Sequence, residues 1–295
     1  MVWASGWKLA SAVSNSGGLG LIGAGSMYPD VLREHIQKCK KATKKPFGVN
    51  VPLLYPDIDL LMKVIIEENV PIIFTAAGNP KIWTEHLKNE KRIVVHVVSS
   101  VNFALKAQES GVDAIVAEGF EAGGHNGREE TTTMTLIPIV KKAINVPLIA
   151  AGGIASGKSM FAAMALGADG VQVGSRFVAS NEASSHLNFK NEVIRSEQGS
   201  TILTLKEITP VRMIKNPFYY KLQEIYERGG SVDELKDMLG RGRAKKGMFE
   251  GDLVEGELEI GQVAGQIDKI ISAESIIKEF IKDYNLVFDD LKKII

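Results

Sequence analysis

Ile93-Val94-Val95-His96-Val97, a helical stretch from Val101 to Ser110, and then Ala114-Ile115-Val116-Ala117 form one β-α-β unit. The two apolar runs are nearly continuous, so each strand has no wet face and must be covered on both sides. That pattern belongs to a parallel sheet wrapped in helices, and it repeats outward in both directions. Upstream, strands are predicted at Gly20-Leu21-Ile22-Gly23, Phe47-Gly48-Val49-Asn50 and Ile72-Ile73-Phe74-Thr75, with helices over Pro29 to Thr43, Ile58 to Asn69 and Pro80 to Asn89. Downstream, Leu148-Ile149-Ala150-Ala151 and Gly170-Val171-Gln172-Val173 are strands, with helices over Leu136 to Ile144 and Ser156 to Leu166. This ladder predicts an α/β fold of the TIM (β/α)8 type. Only seven strands are found where a closed barrel has eight. The shortfall lies at the start, where the helix Trp7 to Asn15 precedes any strand and Met1-Val2-Trp3-Ala4 is at best a poor one. An open doubly wound sheet of seven strands is the alternative.

After Ser180 the pattern changes. Asn181 to Lys246 reads as polar and helical, interrupted by Pro210 and Pro217, and Gly247 to Gly261 is glycine-rich and acidic. The expected organisation is a barrel from residues 1–180 and 262–295, with residues 181–261 as a helical insertion or lid over the barrel mouth. Val263 to Ile271 and Ser275 to Tyr284 are predicted as closing helices.

Composition narrows the function classes. The 295 residues hold 35 Lys+Arg and 35 Asp+Glu, a balance that argues against a nucleic-acid surface. Cys39 is the single cysteine, so no internal disulfide or cysteine metal cluster is expected, and no metal-ligand spacing occurs. No apolar run is long enough for a bilayer and no secretory signal opens the sequence, so a cytoplasmic protein is expected.

In barrels the chemistry sits at the carboxyl ends of the strands. Those ends here are Asn50, Thr75, His96, Glu118, Gly152-Gly153 and Gln172-Val173-Gly174-Ser175. The fifth continues as Gly119-Phe120-Glu121-Ala122-Gly123-Gly124-His125-Asn126-Gly127, a histidine among glycines. Glycine admits close backbone approach, and histidine moves protons near neutral pH. His125 is therefore the candidate acid/base, and a glycine-rich turn with a solvated histidine is the plain alternative. Glu121 either orients His125 or caps the loop. Thr131-Thr132-Thr133 are candidates to cap the next helix. The glycine turns at 152–153 and 174–175 belong to successive units near the end of the ladder, where barrels place phosphate groups. His96 is expected to be a core histidine, and His35, His86 and His186 to lie at the surface.

Gly152 to Ser159 also matches the nucleotide-binding pattern GxxxxGK[ST] between a strand and a helix. Five strands precede it, however, and no apolar strand ending in Asp follows to hold magnesium. Lys158 and Ser159 are more simply the first turn of a barrel helix.

Together, Gly119 to His125, Ala150 to Ile154 and Gly167-Ala168-Asp169-Gly170-Val171-Gln172-Val173-Gly174-Ser175-Arg176-Phe177 resemble the nitronate monooxygenases, formerly 2-nitropropane dioxygenases. The flavin-type enoyl-acyl-carrier-protein reductases share these motifs. Gly17 to Gly20, Pro46 to Asn50 and Ala77 to Pro80 extend the resemblance over nearly the whole chain. It implies an FMN-binding barrel. Asn50 and Gln172 would contact the flavin ring or ribityl arm, with Gly123 and Gly124 nearby. Gly152, Gly153, Gly174 and Ser175 would hold the phosphate, Thr75 and Glu118 would also lie at the cofactor, and His125 would be the acid/base. Family members begin with a strand whose closing methionine matches Met1, which would thereby touch the cofactor. The implied reaction is oxidation of alkyl nitronates with O2 to carbonyl compounds and nitrite. The alternatives are NADH-dependent reduction of an enoyl-acyl-carrier-protein thioester or of a quinone. A small-molecule substrate, O2 or NADH as co-substrate and a homodimer are the implied partners; neither nucleic acid nor membrane is.

Overall fold

A computed structural model describes residues 3–293. Seven parallel strands form one curled sheet: β1 (Gly20–Gly23), β2 (Phe47–Pro52), β3 (Ile72–Ala76), β4 (Ile93–Val98), β5 (Ala114–Glu118), then, after the short β6 (Gly124–His125), β7 (Leu148–Ala151) and β8 (Gly170–Gln172). The order within the sheet is β1-β2-β3-β4-β5-β7-β8. This is the TIM-like α/β architecture expected from the ladder. Among the described residues β1 and β8 are not hydrogen-bonded to each other, so the barrel is open along that seam. The seven predicted strands each coincide with an observed one to within two residues.

Alternation along the strands divides two apolar layers. Ile22, Val49, Val51, Ile73, Val94, Ile115, Leu148 and Ala150 turn outward into the large core beneath the helices. Leu21, Phe74, Val95, Val116 and Ala151 turn inward and fill the barrel. Continuing the same alternation, Asn50, Glu118 and Gln172 point inward, whereas Thr75 and His96 point outward.

The helix Gly157–Ala165 lies directly on the 20-residue helix Ala273–Lys292. A Cβ at Gly157 would stand 2.0 Å from Phe280 O, so only glycine permits this approach. The closing segment differs from expectation: Val263 to Ile271 contains only a 3-10 turn at Gln262–Gln266, and the final helix is longer than predicted.

The segment after Ser180 also differs from a purely helical reading. Between the helices Leu187–Arg195, Pro217–Glu227 and Val232–Leu239 it carries β9 (Thr201–Thr204) and β10 (Val211–Ile214). These form an antiparallel pair that β6 extends, giving a second sheet of order β6-β10-β9. Two apolar clusters support the segment. One centres on Phe189, Val193, Met248, Leu258 and Ile260, the other on Met213, Phe218, Leu222 and Leu235.

Candidate active site

The loop that follows β5 is fixed at both ends. Glu121 is a cap: its carboxylate accepts from Thr133 N (2.9 and 3.1 Å) and from Thr133 Oγ1 (3.0 Å). It thus satisfies the start of the helix Thr133–Ala143, where a carboxylate also complements the helix dipole. Of the two roles open to Glu121, capping is the observed one. Thr132, at the N-cap position, makes no side-chain cap of its own.

The other end is held by the second sheet. Val211 pairs with His125 and Arg212 with Gly124. Asn126 N donates to Pro210 O at 2.9 Å, and Asn126 Nδ2 donates to Ala122 O at 2.9 Å. Arg212 is almost wholly buried, with its guanidinium 4.4 Å from the centre of the Phe120 ring. Its Nε and Nη2 donate to Phe120 O at 3.2 and 3.0 Å. Strand pairing therefore fixes the backbone of His125, while its side chain stays exposed.

Inside the barrel, Glu118, Ala151 and Gln172 lie side by side in register across β5, β7 and β8. Burial pushes the Glu118 carboxyl up to about 7. Gln172 Oε1 is buried without a hydrogen-bond partner among the described residues. An unmet buried acceptor costs about 1–3 kcal/mol, so its presence inside the barrel marks a place for a ligand donor. Asn50 shares the inward face and is paired in register with Gly23 and Phe74. Gly152 adopts φ +85°, and a Cβ there would stand 2.7 Å from Gly119 O, so the β7 turn packs tightly under the histidine loop. At Gly174 a Cβ would meet nothing within 4 Å, leaving room beside the β8 turn. Ser175 Oγ accepts from Gly261 N at 2.9 Å, tying that turn to the segment that crosses the mouth. The inward amide, the inward carboxyl raised toward neutrality and the open glycine turn fit a flavin with its phosphate arm.

Thr75 stands apart from this group. It is 1% exposed, and its hydroxyl meets His96 Nδ1 at 2.7 Å and donates to Val95 O at 3.3 Å. Burial holds the His96 imidazole down at about 4, so it is neutral and belongs to the core, as expected. Met1 lies outside the described residues. His35 is not a plain surface residue, because its Nδ1 accepts from Trp7 N at 3.2 Å. The apparent nucleotide loop has structural reasons for its residues. Gly157 serves the helix contact described above, and Ser156 and Ser159 form a reciprocal capping box.

Three residues at the mouth were not singled out in the sequence: Tyr55, Glu257 and Glu259. The two glutamates could have been found, because Val254 to Ile260 alternates with period two and puts both on one face.

A curled parallel sheet with glycine turns and an exposed histidine beyond its carboxyl ends defines a TIM-like α/β barrel. The chain belongs to the nitronate monooxygenase family, whose sequence profile matches residues 1–283. A probable nitronate monooxygenase of Staphylococcus saprophyticus is 30% identical over 96% of this chain and 92% of its own length. A Mycobacterium tuberculosis protein named (3aS,4S,5R,7aS)-5-hydroxy-7a-methyl-1-oxo-octahydro-1H-indene-4-carboxyl-CoA dehydrogenase is 28% identical over 96% of this chain and 90% of its own. Among solved structures, FabK from Thermotoga maritima superposes with a TM-score of 0.93 at 42% identity, covering 100% of this chain and 94% of that one. No described helix is long and apolar enough to cross a membrane.

Proposed function

We propose that this chain is an FMN-dependent, NADH-consuming reductase of enoyl thioesters, with His125 as the acid that protonates the α-carbon. The observation that carries the reading is His125 itself: a histidine whose backbone is fixed by strand pairing and whose ring stays exposed, on the loop that continues the strand carrying the inward Glu118. The substrate class is supported by the motifs that resemble the flavin-type enoyl-acyl-carrier-protein reductases and by likeness to FabK at 42% identity over the full chain. The mycobacterial relative, named for a carboxyl-CoA compound, adds a second thioester.

Bound FMN supplies two-electron chemistry that no side chain performs. Asn50, Glu118 and Gln172 line the barrel where the ring and ribityl arm are held, with Gly123 and Gly124 close by. Gly152, Gly153, Gly174 and Ser175 take the phosphate by their backbone N–H groups. Residues 181–261 act as the lid that excludes water from the mouth. Overall, an enoyl thioester, NADH and a proton become the saturated thioester and NAD+, and the proton reaches the α-carbon from His125.

A second reading is oxidation of alkyl nitronates with O2, favoured by the family profile and the staphylococcal relative. There His125 would take the α-proton of a neutral nitroalkane, the same transfer in reverse at a carbon beside an electron-withdrawing group. Anaerobic mixing of the FMN-loaded protein with NADH, followed at the flavin absorbance band, separates the two. Rapid bleaching, followed by recovery on adding an enoyl thioester, is expected. Bleaching by a nitronate but not by NADH would replace the reductase with the monooxygenase.

A further inference from the structure

Residues 257–261 cross the barrel mouth as a strap. Glu259 is bridged to Met213 of β10, Ile214 N donates to Leu258 O at 2.9 Å, and Gly261 N donates to Ser175 Oγ. Side chains alternate along such a segment. Leu258 and Ile260 turn into the apolar cluster under the lid, leaving Glu257 and Glu259 on the opposite face.

The carboxylate of Glu259 lies against the histidine loop. A Cβ built on Gly124 would stand 2.6 Å from Glu259 Oε2, and Gly124 is the residue before His125. Glu259 also acts on Tyr55, in the loop that follows β2, whose phenol is raised by burial and by the Glu259 charge. Glu259 therefore lies beside the residue that precedes His125 and within electrostatic range of the loop that follows β2. Beside it, Glu257 is 6% exposed. Burial and the neighbouring Glu259 push the Glu257 carboxyl up to about 8. Nearby cations are engaged elsewhere: Arg212 with Phe120 O, and Arg243 with the Glu255 carboxylate at 2.9 Å.

We infer that Glu259 is a specificity-determining residue that makes the mouth selective for neutral substrates and disfavours anions beside His125. The inference rests on the site assignment made above and sharpens it. An enoyl thioester is neutral at its reacting end, whereas a nitronate is an anion that must enter past a fixed carboxylate. Like charges a few Å apart in a half-buried site lower affinity by about ten- to a hundredfold.

The test compares two ligands of one shape, trans-2-octenoate and its primary amide, by calorimetric titration of the full chain carrying its flavin at neutral pH. The parent protein is expected to bind the amide at least about tenfold more tightly than the carboxylate. Glu259→Gln, with Glu259→Ser as a second variant should the first fail to fold, is expected to reduce that ratio by about tenfold. A parent that prefers the carboxylate, or a ratio unchanged in the variants, overturns the inference. Turnover is read separately. A shifted ratio in a protein that reduces no thioester removes the proposed reaction and leaves the charge filter. Thioester reduction with an unshifted ratio removes the filter alone.

Discussion

The two parts of His125 are constrained differently: the backbone is held by Val211 while the ring is left exposed, which suits the proposed acid. His125→Asn keeps the shape and removes the proton. Thioester reduction is expected to slow by about 10²- to 10⁴-fold with flavin content unchanged, and full activity would end the acid/base assignment. Three buried groups make a second prediction, on stability. Glu118 and Glu257 are raised to about 7 and about 8, so the folded chain binds their protons more tightly than the unfolded chain does. Their contribution is greatest below the ordinary carboxylate range and is lost as pH rises through those folded values. His96 acts oppositely. Lowered from 6.5 to about 4, it contributes stability above the higher value that is lost as pH falls toward the lower. Urea midpoints measured across this span should fall with rising pH less steeply in Glu257→Gln than in the parent. An equal slope would mean that the Glu257 carboxyl is not raised.

The elements were legible to different degrees, for physical reasons. Strands β1 to β5 and β7 announce themselves because both faces are largely covered, which leaves almost no polar residue to blur the run. β6 is two residues long and has no period to read. β10 holds Arg212 at a fully buried position, which broke the apolar run and made the segment read as polar. The cap by Glu121 depends on a contact twelve residues away that spacing alone could not choose. Where a glycine is set by packing, the consequence is testable. Gly157→Ala puts a methyl 2.0 Å from Phe280 O and 2.5 Å from Tyr284 N, so the final helix must shift. Thermal melts should show a loss of about 1–3 kcal/mol, whereas a nucleotide-loop role would instead predict lost nucleotide binding with unchanged stability.

Across the whole molecule, the inward alternation brought Asn50, Glu118 and Gln172 together from residues far apart in sequence, and the ladder of strand ends foretold that grouping. Thr75 shows the limit, since one step of the same alternation turned it to the helices. The open seam gives the third stability prediction. Among the described residues β8 is paired only with β7, whereas β3 and β4 have neighbours on both sides. Amide hydrogen exchange should therefore be faster in Gly170–Gln172 than in Ile72–Ala76. Equal protection would show that another strand closes the seam in solution.

The pairing of Gly124–His125 with Val211–Arg212 also orders events during synthesis. A ribosome that has released the first 180 residues has already delivered all seven strands of the large sheet, yet the partner of the histidine strand is still unmade. The barrel can begin to fold as it emerges, while the histidine loop must wait for some thirty further residues before its second edge is held. The nascent protein thus acquires its scaffold before its chemistry.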